Sequence, residues 1–150
     1  MTIQIGVFGG PGGHQQKAYI PEQRWIKALL LHSGDVVDAI GLKWTNDTVE
    51  MVAGEKGRQE PNYTMESALL RNIRTISGTV GDYEWAFVVK QIQFTFTDGT
   101  QTGLFGQQRG SRDFLIDVPQ GYYLSGFWGW TGNVIDSLGF IFDETPRGAG

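Results

Sequence analysis

The 150-residue sequence contains no cysteine, so neither disulfide bonds nor thiolate-bound metals can contribute to its fold. No stretch approaches the roughly 18 consecutive apolar residues of a membrane-spanning helix, and the N-terminal residues lack the basic and apolar segments of a signal peptide. Runs of lysine or arginine are also absent, and the formal net charge is −4. We therefore expect a cytoplasmic protein with no nucleic-acid partner and no membrane insertion.

Glycine and aromatic residues are abundant instead. The chain has 22 glycines, nine phenylalanines, five tyrosines and five tryptophans, and 40% of its residues are hydrophobic. Helical proteins have little use for so much glycine, so this composition favours an all-β fold with many turns. The length is typical of a single domain, which we expect to span residues 1–150.

Internal repetition is the main organising feature of the sequence. The segment 34–42, GDVVDAIGL, aligns with 132–140, GNVIDSLGF, and both have the pattern Gly-x-x-x-Asp. A third copy at 86–94 keeps the apolar positions, but Ala86 replaces the glycine and Lys90 replaces the aspartate. The copy at 86–94 therefore preserves the structural pattern and loses the chemical groups.

Three glycine-containing loops repeat at similar intervals, at 8–13, 52–57 and 105–110. The copies at 34 and 86 are each followed by one of these loops, whereas the copy at 132 has none after it. Its partner is then the N-terminal loop, if three units close into a ring that brings the two ends of the chain together.

Short strands are predicted between these landmarks. Alternating residues at 91–97 precede Asp98-Gly99, a strong hairpin signal, and 114–118 and 122–128 are further candidates. Segment 63–74 fits a helical face but also aligns with 113–118, so we prefer a strand. Three units of about four strands favour a closed prism of three sheets over a two-sheet sandwich.

The Gly-x-x-x-Asp segments have the chemistry of sugar recognition. Glycine lets backbone N–H groups approach a ligand, and a carboxylate accepts hydrogen bonds from two hydroxyls at once. Asp38 and Asp136 are the candidate acceptors, with Asp136 expected to be exposed; the candidate donors are the amides of Asp35, Val36, Asn133 and Val134. One such copy alone is more often an ordinary turn, but two intact copies, each with a glycine loop, favour binding.

These segments resemble the jacalin-related lectins. The similar stretches are GGPGG at 9–13, SGDVVDAIG at 33–41 and GFWGWTGNVIDSLG at 126–139. The resemblance covers about residues 3–142 and leaves 143–150 as a C-terminal tail. It implies an all-β fold of the β-prism I type, in which three four-stranded antiparallel sheets have pseudo-threefold symmetry and a sugar binds at one end.

The resemblance also implies two sites. The first would comprise Gly12, Gly13, Asn133, Val134 and Asp136, and the second Asp35, Val36, Asp38 and Gly57, while Ala86 and Lys90 argue against a third. Galactose-preferring members resemble a form cleaved at the glycine loop. This chain runs uncut through that loop, like the mannose- and glucose-preferring group.

Other candidate chemistry is weak. His14 and His32 lack carboxylates at metal-ligand spacing and are expected to be surface loop residues. The loop at 9–13 lacks the Gly-Lys-Ser/Thr of a phosphate-binding loop, and Asp35 and Asp38 are too close in sequence to straddle a glycosidic bond. Trp130, two residues before Gly132, is a candidate for the rim of the site. We expect no catalytic residue, no metal and no cofactor.

The expected function is non-covalent binding of mannose- or glucose-containing glycans and glycoproteins. A galactose-preferring lectin and a protein-interaction module without sugar binding are the alternatives. Because a few hydrogen bonds exchanged with water give about millimolar affinity for a monosaccharide, useful avidity requires several sites. We therefore expect a homo-oligomer, either a dimer or a tetramer.

Overall fold

The structure is a computed structural model that describes residues 1–20, 25–55 and 60–146. Within these ranges the chain forms antiparallel strands and one short helix. In chain order they are β1 (Thr2–Gly9), β2 (His14–Ala18), β3 (Ile26–Ser33), β4 (Val37–Trp44), β5 (Val49–Ala53), β6 (Tyr63–Glu66), α1 (Ser67–Leu70), β7 (Ile73–Tyr83), β8 (Ala86–Phe96), β9 (Arg112–Asp117), β10 (Tyr122–Thr131) and β11 (Ile135–Glu144).

The strands form three sheets, one for each sequence repeat. The first sheet has the order β1-β11-β10-β2, the second β5-β4-β3-β6 and the third β8-β7-β9. Each repeated segment begins at a β-hairpin of its own sheet. The architecture matches the expected three-sheet prism.

The first sheet joins the two ends of the chain. Strand β1 pairs with β11, so that Thr2 lies opposite Asp143. Asp143 is buried, and its carboxylate accepts hydrogen bonds from Thr2 Oγ1 and Tyr19 Oη at 2.6 and 3.0 Å. The ring closure predicted from the repeats is therefore present, and β11 includes two residues of the expected tail.

The third sheet departs from the expected four strands. Residues 101–105, which would form its fourth strand, pair with β8 as two isolated β-bridges, Ile92 with Phe105 and Thr95 with Gln101, and not as a regular ladder. The hairpin turn at Asp98-Gly99 is present, with Gly99 at a φ of +87°. Segment 63–74 is a strand only in part, because the helical turn α1 separates β6 from β7.

One apolar core lies between the three sheets. Its largest fully buried side chains come from all three, and they are Trp44, Phe94, Phe127, Phe140 and Phe142. Each contributes on the order of 1.5 to 3 kcal/mol through burial. Trp128 and Trp130 are instead half-buried, and Trp128 covers Gly139 on the neighbouring strand. No helix in the described ranges is long and apolar enough to cross a membrane.

Candidate functional site

The third residue of each repeat brings the three turns together at one end of the prism. Val36, Val88 and Val134 are 1%, 0% and 3% exposed and form a small apolar cluster separate from the main core. Because the three valines occupy the same position in the three repeats, their contact demonstrates the pseudo-threefold symmetry directly. The candidate site residues flank this cluster.

The N-terminal loop packs against the repeat at 132–140, as the sequence pattern predicts. Gly10 N–H donates to the backbone oxygen of Asp136 at 3.0 Å. A Cβ on Gly12 would lie 3.4 Å from Asp136 Oδ2, and one on Gly13 would lie 2.7 Å from the carbonyl oxygen of Thr131. Both glycines have positive φ, +108° and +84°, so this close approach requires residues without side chains.

The carboxylate of Asp136 is buried, which corrects the expectation of an exposed acceptor. The residue is only 6% exposed, because the loop at 9–13 covers it. Burial raises the pKa of this carboxyl above its ordinary value. None of the described residues donates a hydrogen bond to its side chain, so the carboxylate keeps unused capacity to accept hydrogen bonds.

Backbone donors lie beside this acceptor. Asn133 is exposed at the tip of the turn between β10 and β11, and the turn is closed by a 3.0 Å bond from Gly132 N–H to the oxygen of Val134. Neither the amide of Asn133 nor that of Val134 donates to an acceptor in the described part of the chain. The predicted members of the first site are therefore adjacent in space, with donors and an acceptor free.

A hairpin from the middle repeat forms the opposite wall. A cavity of about 160 Å³ lies between the turn at 132–136 and the tip of the β7–β8 hairpin, Tyr83 to Ala86. Trp85 at this tip is fully exposed, and Glu84 is a second carboxylate at the cavity. Sequence analysis missed this wall. Two aromatic residues directly before the repeat at 86–94, Tyr83 and Trp85, were a usable signal. Trp130, which was expected at the rim of the site, lines neither this cavity nor a second cavity on the other side of the turn at 132–133.

In the second candidate site, a glycine-loop N–H again donates to the backbone oxygen of the aspartate, but a histidine lies beside the carboxylate. Gly54 N–H donates to the backbone oxygen of Asp38 at 3.1 Å, and Asp38 is 7% exposed. His32 Nδ1 lies 3.2 Å from Asp38 Oδ2. His32 is therefore not a surface loop residue but a half-buried member of β3, whereas His14 is exposed and begins β2.

Two other predicted members of the second site are neighbours in one turn. Asp35 is exposed and Val36 is buried in the turn before β4. In the described residues, neither backbone N–H group donates a hydrogen bond. The predicted residue Gly57 lies outside the described ranges.

In the repeat at 86–94, the position that corresponds to the two candidate sites is filled by residues of that repeat. Lys90, at the position of the aspartates, is 7% exposed and its Nζ donates to the backbone oxygen of Asp82 at 2.8 Å. Strands β7 and β8 pair as far as Tyr83 and Ala86, whereas the other two repeats leave a three-residue turn at this point. The glycine turn is thus replaced by a continuous ladder.

Metal ligands do not gather in this region. In the ranges that the structure covers, no three histidine or acidic side chains are close enough to hold an ion. The chemistry of the candidate sites is accordingly that of hydrogen-bond donors and carboxylates.

Comparison with known proteins identifies these features with one family. The family description "Jacalin-like lectin domain" matches residues 5–141. A mannose/glucose-specific lectin from Parkia platycephala is 31% identical over 144 residues, which are 92% of this chain. Horcolin from Hordeum vulgare is 28% identical over 141 residues, 92% of this chain and 94% of horcolin.

The extent of these matches differs. The chain spans 31% of the length of the Parkia platycephala lectin. Among solved structures, wild-type Malaysian banana lectin superimposes with a TM-score of 0.75 at 26% identity, covering 97% of this chain and 100% of the banana chain. The agreement extends over the whole prism.

Proposed function

This chain belongs to the Jacalin-like lectin family, and we propose on that premise that it binds a mannose- or glucose-type hexose reversibly beside Asp136. The observation that carries the proposal is the carboxylate of Asp136, which is 6% exposed and has no hydrogen-bond partner in the described residues. Burial of most of the residue leaves its ionised carboxylate less well solvated than in open water, which is unfavourable without a donor. A ligand that donates two hydroxyl hydrogens removes that cost, and a hexose does so with two neighbouring hydroxyls.

The surrounding groups complete the recognition of a sugar. Hexose oxygens also accept, and the free amides of Asn133 and Val134 are donors at the same turn. Gly12 and Gly13 leave space for the ring, because a side chain on Gly12 would approach Asp136 Oδ2. Trp85 offers an apolar face on the opposite wall for the C–H groups of the sugar.

Selectivity for mannose or glucose is supported by two observations. The peptide chain is continuous through 9–13, without the free amino terminus associated with the cleaved, galactose-preferring form. The Parkia platycephala relative is named a mannose/glucose-specific lectin. A galactose-preferring protein would instead bind methyl galactoside more tightly than methyl mannoside.

Binding involves no covalent step in this proposal. Two carboxylates, Asp136 and Glu84, border the cavity, and a pair of carboxylates is also what glycoside hydrolases use. Asp136 is held by the glycine loop as an acceptor, while Glu84 is exposed at a hairpin tip. We therefore expect no cleavage of nitrophenyl mannoside or glucoside during prolonged incubation.

Calorimetric titration with methyl α-mannoside, methyl α-glucoside and methyl α-galactoside tests the proposal. The expected dissociation constants for the first two are about millimolar, with binding to galactoside at least about tenfold weaker. Absence of heat with all three sugars, together with no retention on a mannan column, would overturn the proposal in favour of a protein-interaction module.

A further inference from the structure

The glycine loops contact the turns of neighbouring repeats as well as the aspartates of their own. A Cβ on Gly54, the third residue of its loop, would overlap the backbone oxygen of Asn133. A Cβ on the equivalent Gly10 would overlap that of Phe87, the residue that corresponds to Asn133 in the repeat at 86–94. The same surface of each loop thus lies against the next turn around the ring of sheets.

In the first candidate site, this contact includes a hydrogen bond to the peptide group that carries a free donor. Glu55, the fourth residue of its loop, donates its backbone N–H to the oxygen of Gly132 at 3.0 Å. That oxygen and the N–H of Asn133 belong to one peptide group, which is planar. The bond therefore fixes the direction of the Asn133 N–H, and it also polarises that N–H towards an acceptor.

The turn of the second candidate site is held in the same way by a loop that has no site of its own. The N–H of Gln107 lies 3.1 Å from the oxygen of Gly34 and 3.0 Å from that of Asp35. The N–H of Gln108 also donates to the oxygen of Asp35, at 3.0 Å. These oxygens belong to the peptide groups that carry the N–H groups of Asp35 and Val36. Both donors lie in the glycine loop of the middle repeat, whose own position is filled by a lysine.

In the described residues, the turn without a candidate sugar site receives no such bond. The loop that faces the repeat at 86–94 has Pro11 at the position of Glu55 and Gln108, and proline has no N–H to donate. That turn needs no outside donor, because β7 and β8 pair with each other up to its tip. Donors from a neighbouring loop therefore accompany the two turns that present free amides.

We infer that Glu55 is a positioning residue for the first sugar site, and that Gln107 and Gln108 position the amides of the second. This inference rests on the proposed function. Each residue acts through its backbone N–H, which holds the donor peptide of the next turn in place before the sugar arrives. A donor that is already oriented needs less ordering on binding. The glycine loop of the middle repeat thus serves a neighbouring site.

Replacement of Glu55 by proline removes the donor, and Pro11 shows that a loop of this kind accommodates proline. In an Asp38→Ala background, which leaves only the first site, Glu55→Pro should raise the dissociation constant of methyl α-mannoside about threefold to tenfold, as loss of one net hydrogen bond provides. Glu55→Ala is the matched control, because it removes the same side chain and keeps the N–H; its affinity should be unchanged. Unchanged affinity in folded Glu55→Pro would overturn the inference.

Replacement of Gln108 by proline tests the second site. In an Asp136→Ala background, Gln108→Pro should raise the dissociation constant about threefold, a smaller effect because Gln107 still donates to the same oxygen. In the Asp38→Ala background the same substitution should leave the first site unchanged, and Gln108→Ala should leave both sites unchanged. Equal losses at both sites, no loss at the second, or no mannoside binding there at all would overturn the assignment of Gln107 and Gln108.

Nuclear magnetic resonance on the unmodified chain gives the answer even if a proline variant does not fold. The scalar coupling between the Glu55 nitrogen and the Gly132 carbonyl carbon reports their hydrogen bond directly. Saturation with methyl mannoside should increase this coupling, because an acceptor at the Asn133 N–H polarises the shared peptide group. If mannoside shifts neither the Asn133 nor the Val134 amide resonance, the proposed function is wrong. If it shifts them and leaves the coupling unchanged, the positioning role of Glu55 is wrong.

Discussion

His32 Nδ1 lies 3.2 Å from Asp38 Oδ2, and no residue makes the corresponding contact with Asp136 in the described chain. The strand registers show why. His32 lies opposite Ala39, the residue after Asp38, and Trp130 lies opposite Ser137, the residue after Asp136. The histidine that contacts the carboxylate in one repeat is thus replaced by Trp130 in the other, which makes no hydrogen bond to Asp136, and the two candidate sites are chemically different.

We expect His32→Phe to strengthen mannoside binding at the second site. The histidine occupies part of the hydrogen-bond-accepting capacity of the Asp38 carboxylate. Because its removal leaves that capacity to the sugar, the dissociation constant should fall about threefold to tenfold. Calorimetry in an Asp136→Ala background measures this site alone, with His14→Phe as the control. Weaker binding in His32→Phe would show that the histidine orients Asp38 for its ligand.

Asp136→Ala is expected to abolish binding at the first site without unfolding the protein. Two charge-assisted hydrogen bonds of about 1.5 to 3 kcal/mol each are lost, which corresponds to more than about a hundredfold in affinity. The melting temperature should stay level or rise at neutral pH, because an unpaired buried carboxylate is removed. Asp117→Ala, an exposed position on β9, is the control, and unchanged binding in Asp136→Ala would refute the assignment.

The pH dependence of binding and of stability should have opposite signs at Asp136. Burial raises the pKa of this carboxyl, so the folded protein holds the Asp136 proton more tightly than the unfolded chain does. The stabilisation from this proton is complete below the pKa of the carboxyl in the unfolded chain, and it is lost as the pH rises through the pKa in the folded protein. Sugar binding requires the ionised form and is lost as the pH falls through that same raised value. Titrations from about pH 4 to pH 7, with melting of Asp136→Asn in parallel, check both; binding that persists to the ordinary aspartate range would contradict the assignment.

Binding should be insensitive to chelators. The described residues include no group of three side chains that could hold a metal, and hydroxyl recognition by Asp136 needs none. Retention on a mannan column is expected to be the same with and without EDTA. Elution of the protein by EDTA alone would show that a metal ion takes part.

We expect two mannoside sites per chain and none beside Gly110. Lys90 donates to the oxygen of Asp82 and fills the third position with an ammonium group, which cannot accept from a hydroxyl. A crystal soaked in excess methyl mannoside reports all three positions at once. Sugar ordered between Lys90 and Gly110, or an empty pocket beside Asp38, would disprove the assignment from the repeats.

The ring of three sheets could be predicted because its signal is repeated in the sequence. Each Gly-x-x-x-Asp segment precedes the same apolar pattern. The copy at 132 has no glycine loop after it in the sequence, and it gains one, the loop at 8–13, only if the ring closes. The irregular fourth strand of the third sheet could not be predicted in this way. There Phe94 N–H bonds to the hydroxyl of Thr102, so a side chain competes with the regular ladder.

Features of the site that depend on the register between paired strands could not be predicted from the sequence. His32 and Asp38 meet because β3 and β4 pair in one register, and a shift of one residue would have separated them. The wall formed by Trp85 exists because β7 and β8 extend past the point where the other hairpins open. The burial of Asp136 likewise depends on how closely a remote loop packs over it.

The pairing of β1 with β11 determines when the first site can form during synthesis. The second and third sheets are built from the interior of the sequence, whereas the first sheet needs both its earliest and its latest strands. Contacts of such long sequence separation are slow to form, and on the ribosome β1 waits unpaired until β11 has emerged. Gly12 and Gly13 meet Asp136 only after that step, so the proposed sugar site beside Asp136 is the later of the two candidate sites to form in a nascent chain.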